Sequence, residues 1–240
     1  MLWTRSGPPT PWPVGRAVAW CMERHPVLMV GTDPVEVDGL LAAGRLRCPG
    51  CTGRLGPWGR ARPRSVREEH GQVRHRPRRS RCSGCGSTHV LLAPSMLLRR
   101  ADGVVVIGAA LLAQAAGAGH RTIAAGNGRP VGTVRGWLRR FGRRAEQLRV
   151  LFTAVLHALD PAAGSLLPTG SSVSDALAAV GAAAAAAVRL FGPRCPWQFA
   201  AAASNPSTST GSVPTISNGC LSKHQATALP TGQGLSLIHI

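Results

Sequence analysis

Two cysteine pairs are the residues in this chain best suited to chemistry. Cys48-Pro-Gly-Cys51 is followed, after a 30-residue interval, by Cys82-Ser-Gly-Cys85. A CxxC pair wraps a tight turn that aims both sulfurs at one point, and two pairs supply the four thiolates of a tetrahedral Zn²⁺ site. Gly50, Gly53, Gly84 and Gly86 are placed to allow such bends. Four sulfurs close the coordination shell, so the Zn²⁺ expected here is structural and activates no water. Two rival uses of the cysteines fit less well. Disulfides go with secretion, which nothing in the chain marks, and the total of 7 Cys is odd. A thioredoxin-like redox centre needs a βαβ context around a single CxxC. His70, His75 and His89 are the side chains able to replace a ligand, although histidines in an arginine-rich hairpin are more often simply solvated. Cys21, Cys195 and Cys220 have no partner at metal spacing and receive no role.

The second stretch with chemical meaning is polyanion-directed. Val134, Trp137, Leu138 and Phe141 fall at i, i+3, i+4 and i+7, one apolar stripe of a helix, while Arg135, Arg139 and Arg143 project elsewhere. Thr133 is placed to cap this helix and Gly142 to end it. Ahead of it, Thr122-Ile123-Ala124-Ala125 starts another helix, and Gly126-Asn127-Gly128-Arg129-Pro130 is rich in breakers. Two helices joined by a tight Gly-containing turn define a helix-turn-helix, and a small helical hairpin packed in a core is the plainer reading.

Charge favours the first of these. Residues 41–150 hold 22 Arg against Glu68, Glu69, Asp102 and Glu146, so the whole formal net charge of +18 lies in that segment. Such a field attracts a polyanion, usually nucleic acid, with a merely solvated basic surface as the competing explanation. Arg supplies 27 of the 28 basic residues, and its planar fork suits phosphate oxygens and guanine edges.

These residues need elements to position them. In residues 33–46, Asp33 as cap, Pro34 in the first turn and Glu36 three residues after the cap predict a short helix. Between the cysteine pairs, Arg64-Ser-Val-Arg67 and Gln72-Val-Arg-His75 read as β arms about a turn near His70-Gly71, the layout of a zinc ribbon. Those arms carry Arg60, Arg62, Arg64, Arg67, Arg74, Arg76, Arg78, Arg79 and Arg81, expected to face phosphate. Residues 103–119 form a transmembrane candidate that is short for a span and contains Gln114; a buried helix over about 104–116 suits them better.

Five segments follow: 1–32, a leader expected to be disordered or untranslated, with Met22 and Met29 as alternative starts; 33–93, the zinc ribbon with its preceding helix; 94–150, the helix-turn-helix domain; 151–191, an Ala-rich helical extension; and 192–240, a disordered tail. Leu151, Val155 and Leu159 share a face in the extension, whose alanines promise little packing. Residues 235–240 resemble the translation of a transposon end used in sequencing libraries, and the resemblance implies that those six residues are an artefact. The expected fold class is thus mainly α with a small β zinc ribbon, a three-helix helix-turn-helix domain and disordered termini.

The run Ile123-Ala124, Gly128, Pro130, Thr133-Val134-Arg135, Trp137-Leu138-Arg139 resembles the helix-turn-helix of insertion-sequence transposases and related bacterial DNA-binding proteins. In that pattern Ala124 is the small residue where the helices touch, Gly128 is the turn, and Val134 and Trp137 pack underneath. Asn127 departs from it, standing where the pattern has a core Leu. Over about half the chain, residues 33–150 resemble an actinobacterial family, without an assigned biochemical activity, that joins a zinc ribbon to a transposase-like helix-turn-helix. The matching pieces include Gly44-Arg-Leu-Arg-Cys-Pro-Gly-Cys51, Trp58-Gly59, Arg79, Cys82-Ser-Gly-Cys85 and Thr88-His-Val-Leu-Leu92. The resemblance implies DNA binding linked to mobile elements. By position in the motif, Val131, Gly132, Thr133, Arg135, Gly136 and Arg139 are the DNA-binding residues that open the reading helix, with Arg140, Arg143 and Arg144 toward the backbone.

The function expected is sequence-specific binding of double-stranded DNA, tied to transcription or to mobile elements. The chain is expected to be cytoplasmic, with double-stranded DNA and a second copy of itself as its candidate partners, and to use neither a membrane nor a small-molecule substrate. A transposase active centre needs three acids on an α/β domain to hold two metal ions, and only Glu146, Asp160 and Asp175 follow the helix-turn-helix, so no enzyme activity is expected. A truncated transposase that has lost its catalytic domain, and a zinc ribbon that binds RNA or protein, are the alternatives.

Overall fold

The computed structural model describes residues 27–204, among which lie six strands and seven helices. Asp33 opens helix α1 (Pro34–Ala42) as its sequence predicts: Asp33 Oδ1 accepts the Val35 N–H at 2.9 Å, and Pro34 fills the first turn, where a missing N–H costs nothing. Val37 and Leu41, one turn apart, are buried against Leu28, Leu55 and Leu91. Those three leucines belong to a four-stranded sheet whose strands lie in the order 27–29, 88–92, 78–82, 55–60. In it β2 (Leu55–Arg60), β5 (Arg78–Cys82) and β6 (Thr88–Leu92) pair antiparallel, Leu55 opposite Cys82 and Ser80 opposite His89.

Strand β1 (Val27–Met29) runs parallel to β6, with Val27 opposite Val90 and Met29 opposite Leu92. It corrects the reading of residues 1–32 as wholly disordered. Leu28 and Met29 are buried, and the Val30 N–H donates to the Leu92 carbonyl at 3.0 Å, so the segment satisfies an otherwise open sheet edge. Residues 1–26, with Cys21 and the alternative start at Met22, lie outside the described residues.

The expected β arms form a hairpin of β3 (Arg64–Glu68) and β4 (Gly71–His75), with Val66 opposite Val73. This hairpin is separate from the sheet. Val66 is fully buried within the helical core, so the middle of the segment between the two cysteine pairs packs on the helices, while its ends, β2 and β5, pair with each other in the sheet.

Helix α2 (Val104–Ala115) is the buried helix predicted for residues 104–116. It is followed by α3 (His120–Asn127), α4 (Val131–Gly142), α5 (Ala145–Leu159), α6 (Ser172–Phe191) and α7 (Pro196–Ala203). The alanines of α6 pack far better than their size suggested. Ala176, Ala179, Ala183, Ala186 and Ala187 are at most 1 % exposed, because small side chains let α6 approach α5 closely, where Leu148, Phe152, Val155 and Leu156 supply the volume. By length and composition α6 is also the one helix among the described residues apolar enough to cross a membrane, and its alanine face lies in this core.

Helix α7 corrects the expectation of a disordered tail from Gly192. Pro196 takes the first turn, Phe199 is buried, and Trp197 lies so close over Gly108 of α2 that a Cβ there would fall 2.1 Å from the indole Cε2. Glycine at that position is what lets α7 dock. Residues 205–240, including Cys220 and the artefact-like 235–240, lie outside the described residues.

Candidate metal centre and arginine-bearing helix

The pairing of Leu55 with Cys82 brings the two CxxC turns side by side at one end of the sheet. Each turn closes on its own leading cysteine. The Thr52 N–H donates to the Cys48 carbonyl at 2.9 Å, and the Gly86 N–H to the Cys82 carbonyl at 3.1 Å. Thr52 (φ 60°) and Gly86 (φ 73°), each four residues after that cysteine, take the left-handed conformation, so the bends fall there and not at Gly50, Gly53 or Gly84. Gly53 and Gly84 serve the sulfurs differently, by staying out of their way. A Cβ on Gly53 would sit 2.8 Å from Cys82 Sγ and 3.3 Å from Cys51 Sγ.

All four Sγ atoms of Cys48, Cys51, Cys82 and Cys85 lie within 4.8 Å of one another. Cys51 and Cys82 are 3.3 Å apart and Cys48 and Cys85 3.7 Å, far beyond the ~2.05 Å of a disulfide, so all are free thiols. A tetrahedron with metal–sulfur bonds of ~2.3 Å has edges of about 3.8 Å. The cluster therefore has dimensions compatible with one metal ion.

The thiols are electrostatically unequal. The Ser87 hydroxyl and backbone N–H draw Cys85 down to about 6, and backbone N–H groups starting with that of Cys85 lower Cys82. Burial pushes Cys48 up. At Cys51 the Gly53 N–H pulls down, but the neighbouring thiols of Cys82 and Cys85 outweigh it and leave the group at about 11. His89, 1 % exposed, places Nε2 3.4 Å from Cys48 Sγ. With four sulfurs already clustered, that geometry suits a supporting hydrogen bond to Cys48 better than ligand replacement. His70 is exposed in the hairpin turn and His75 lies 3.5 Å from Glu68, so neither joins the cluster.

Helix α4 carries the second set of site residues. Val134, Trp137, Leu138 and Phe141 are all at most 5 % exposed, packed with Ile123 and Ala124 of α3, and the opposite face presents Val131, Gly132, Arg135, Arg139 and Arg143 to solvent. Gly128, with φ 60°, ends α3 in the left-handed conformation and turns the chain into α4. Asn127 closes α3 half-buried, with its carbonyl accepting from Arg129 at 3.1 Å. The helix start differs from expectation. Pro130, not Thr133, occupies the N-cap position, no side chain caps the helix, and Thr133 lies half-buried in the first turn. Gly136 and Arg140 are also half-buried, and Arg140 folds back along the helix until its Nη2 would lie 3.1 Å from a Cβ on Gly136.

Composition conceals one residue that the fold depends on. Asp102, 3 % exposed, accepts a two-pronged pair of bonds from Arg67 of the hairpin at 2.9 Å each and a third from Arg129 at 2.6 Å. One carboxylate thereby joins the hairpin to the turn in front of α4. Other arginines expected at phosphate are likewise engaged. Arg78 pairs with Asp38 of α1, and Arg64 donates to the Leu97 and Arg100 carbonyls. Arg60, Arg62, Arg74 and Arg76 remain exposed.

Comparison of the chain with protein-family models, with curated proteins and with solved structures gives no match.

Proposed function

We propose that this chain binds double-stranded DNA in a sequence-specific manner, with α4 entering the major groove and the four-cysteine cluster holding a structural Zn²⁺. The observation that carries the reading is the two-sidedness of α4: a fully packed apolar stripe behind, and Arg135, Arg139 and Arg143 exposed in front, within a segment that holds the entire net charge of +18. Val131, Gly132, Arg135 and Arg139 are the residues for base edges, with Thr133 and Gly136 letting the helix approach closely. Arg140 and Arg143 lie toward phosphate. The resemblance to transposase helix-turn-helices supports a role at mobile elements or in transcription.

Four thiolates in a knuckle pair favour zinc over hard cations, which prefer oxygen ligands. Cys48, Cys51, Cys82 and Cys85 would hold the ion, and the ion would supply cohesion that this end of the sheet lacks. Site selection from random duplex DNA tests the function, with Arg135→Ala as the decisive variant. Its expected cost is ~1–3 kcal/mol on the preferred site, with relaxed preference at one base pair. Equal weakening on all sequences would reduce Arg135 to a phosphate contact and remove the claim of specificity.

A further inference from the structure

Strand β2 lies at the edge of the sheet and contains a bulge. Its register with β5 runs from Pro57 opposite Ser80 to Arg60 opposite Arg78, so one extra residue is accommodated at Trp58-Gly59, where Gly59 has φ 80°. Bulges re-aim side chains, and this one leaves Trp58 49 % exposed. Trp137 is buried and Trp197 half-buried, so Trp58 is the tryptophan most open to solvent among the described residues.

The indole is held in place. The Arg81 guanidinium stacks 4.7 Å from the ring centroid and is itself anchored by its Nε donating to the Gly86 carbonyl at 3.3 Å. An open depression of about 570 Å³ reaches Arg81 from the side of the cysteine cluster, lined by Pro57, Arg81, Ser83 and Gly84 together with Cys82 and Cys85. Arg60 closes β2 and Arg54 immediately precedes it, both exposed, and neither residues 45–67 nor residues 70–101 contain an acid. Arg78, opposite Arg60, is taken up by Asp38, but Arg54 and Arg60 are exposed; an aromatic face, a fixed guanidinium and these exposed arginines together match a base with its phosphates. Paired bases hide their faces in the stack, so the match is to an unpaired one.

We propose that Trp58 and Arg81 form a stacking platform for an unpaired base of DNA, with Arg54 and Arg60 taking the flanking phosphates. This site is separate from the duplex-reading face of α4, and the choice of DNA over RNA rests on that face being part of the same chain. The test uses the full zinc-loaded chain and three labelled probes: a twelve-residue thymidine single strand, a twelve-residue uridine single strand and a random-sequence duplex. Trp58→Ala should weaken thymidine-strand binding roughly ten-fold, in line with the loss of one base stack, while leaving the duplex affinity unchanged. Trp58→Phe should keep most of the single-strand affinity, and Arg135→Ala should keep all of it, so that failure of the duplex reading and failure of this one are distinguishable. Unchanged single-strand binding in Trp58→Ala, equal losses in the Ala and Phe variants, equal loss on the duplex, or tighter binding of the uridine strand would each overturn the proposal. Because Trp58 lies on an exposed edge, metal content and circular dichroism of both variants should equal those of the parent.

Discussion

The sheet and the helical bundle solve the problem of cohesion in opposite ways. The core beneath the sheet is small: Leu28, Val37, Leu41, Leu55 and Leu91, completed by Cys48 and Cys82. The helical core takes in Met29 and Leu92 from one face of the sheet and Val66 of the hairpin, runs through α2 to α7, and includes Trp137, Phe141, Phe152 and Phe199. Apolar burial stabilises by roughly 25 cal/mol per Å², so the bundle can hold itself by packing, whereas at the sheet's sulfur-lined end a metal ion held by the four cysteines would supply the cohesion. The teaching is that one chain can divide its stability between a shape-based part and a ligand-based part, and each can be attacked separately.

Metal removal should break the comparison most sharply. Ion binding at such a cluster contributes on the order of 10 kcal/mol to folding, so chelation should collapse the sheet while the helical signal in circular dichroism persists. Loss of all structure in one step would show that the bundle depends on the sheet. The next largest effect is expected at the carboxylate that ties the hairpin to the bundle. Asp102→Ala strands the cations of Arg67 and Arg129 and should cost ~3–5 kcal/mol in urea unfolding, since removing one partner of a buried ion pair leaves the other uncompensated. A cost below 1 kcal/mol would mean water replaces the carboxylate. Smallest is a change confined to the bundle: Gly108→Ala forces the Trp197 ring away and should cost ~1–3 kcal/mol by overpacking, without altering metal affinity. A weakened metal site in that variant would show the two regions to be coupled through α2.

Much of this division is visible in the residues themselves. The stripe of Val134, Trp137, Leu138 and Phe141 declares its helix because a local period of 3.6 needs only a local pattern, and the cysteines declare their cluster because CxxC fixes the turn. What local pattern cannot encode is pairing at a distance. β1 is three residues long and finds its parallel partner some sixty positions away, so nothing near Val27 announces a strand. The hairpin arms were legible as strands, but their docking on the bundle was not, since it depends on Val66 and on Asp102 meeting Arg67. Threonine is a common cap, yet Gly128 and Pro130 together start α4 three residues before a cap at Thr133 would. The alanines of α6 were undervalued for a related reason: transfer area counts what a side chain covers, not how near it lets two backbones come.

The shared carboxylate at Asp102 has a mechanical consequence. Arg67 leans on it from one side and Arg129 from the other, so the hairpin and the threshold of the arginine-bearing helix are pegged to a common post. The two are thus held less like beads on a string than like the arms of a caliper with a locked jaw: a nucleic acid bound as proposed would have to bring its own contacts to a spacing already set.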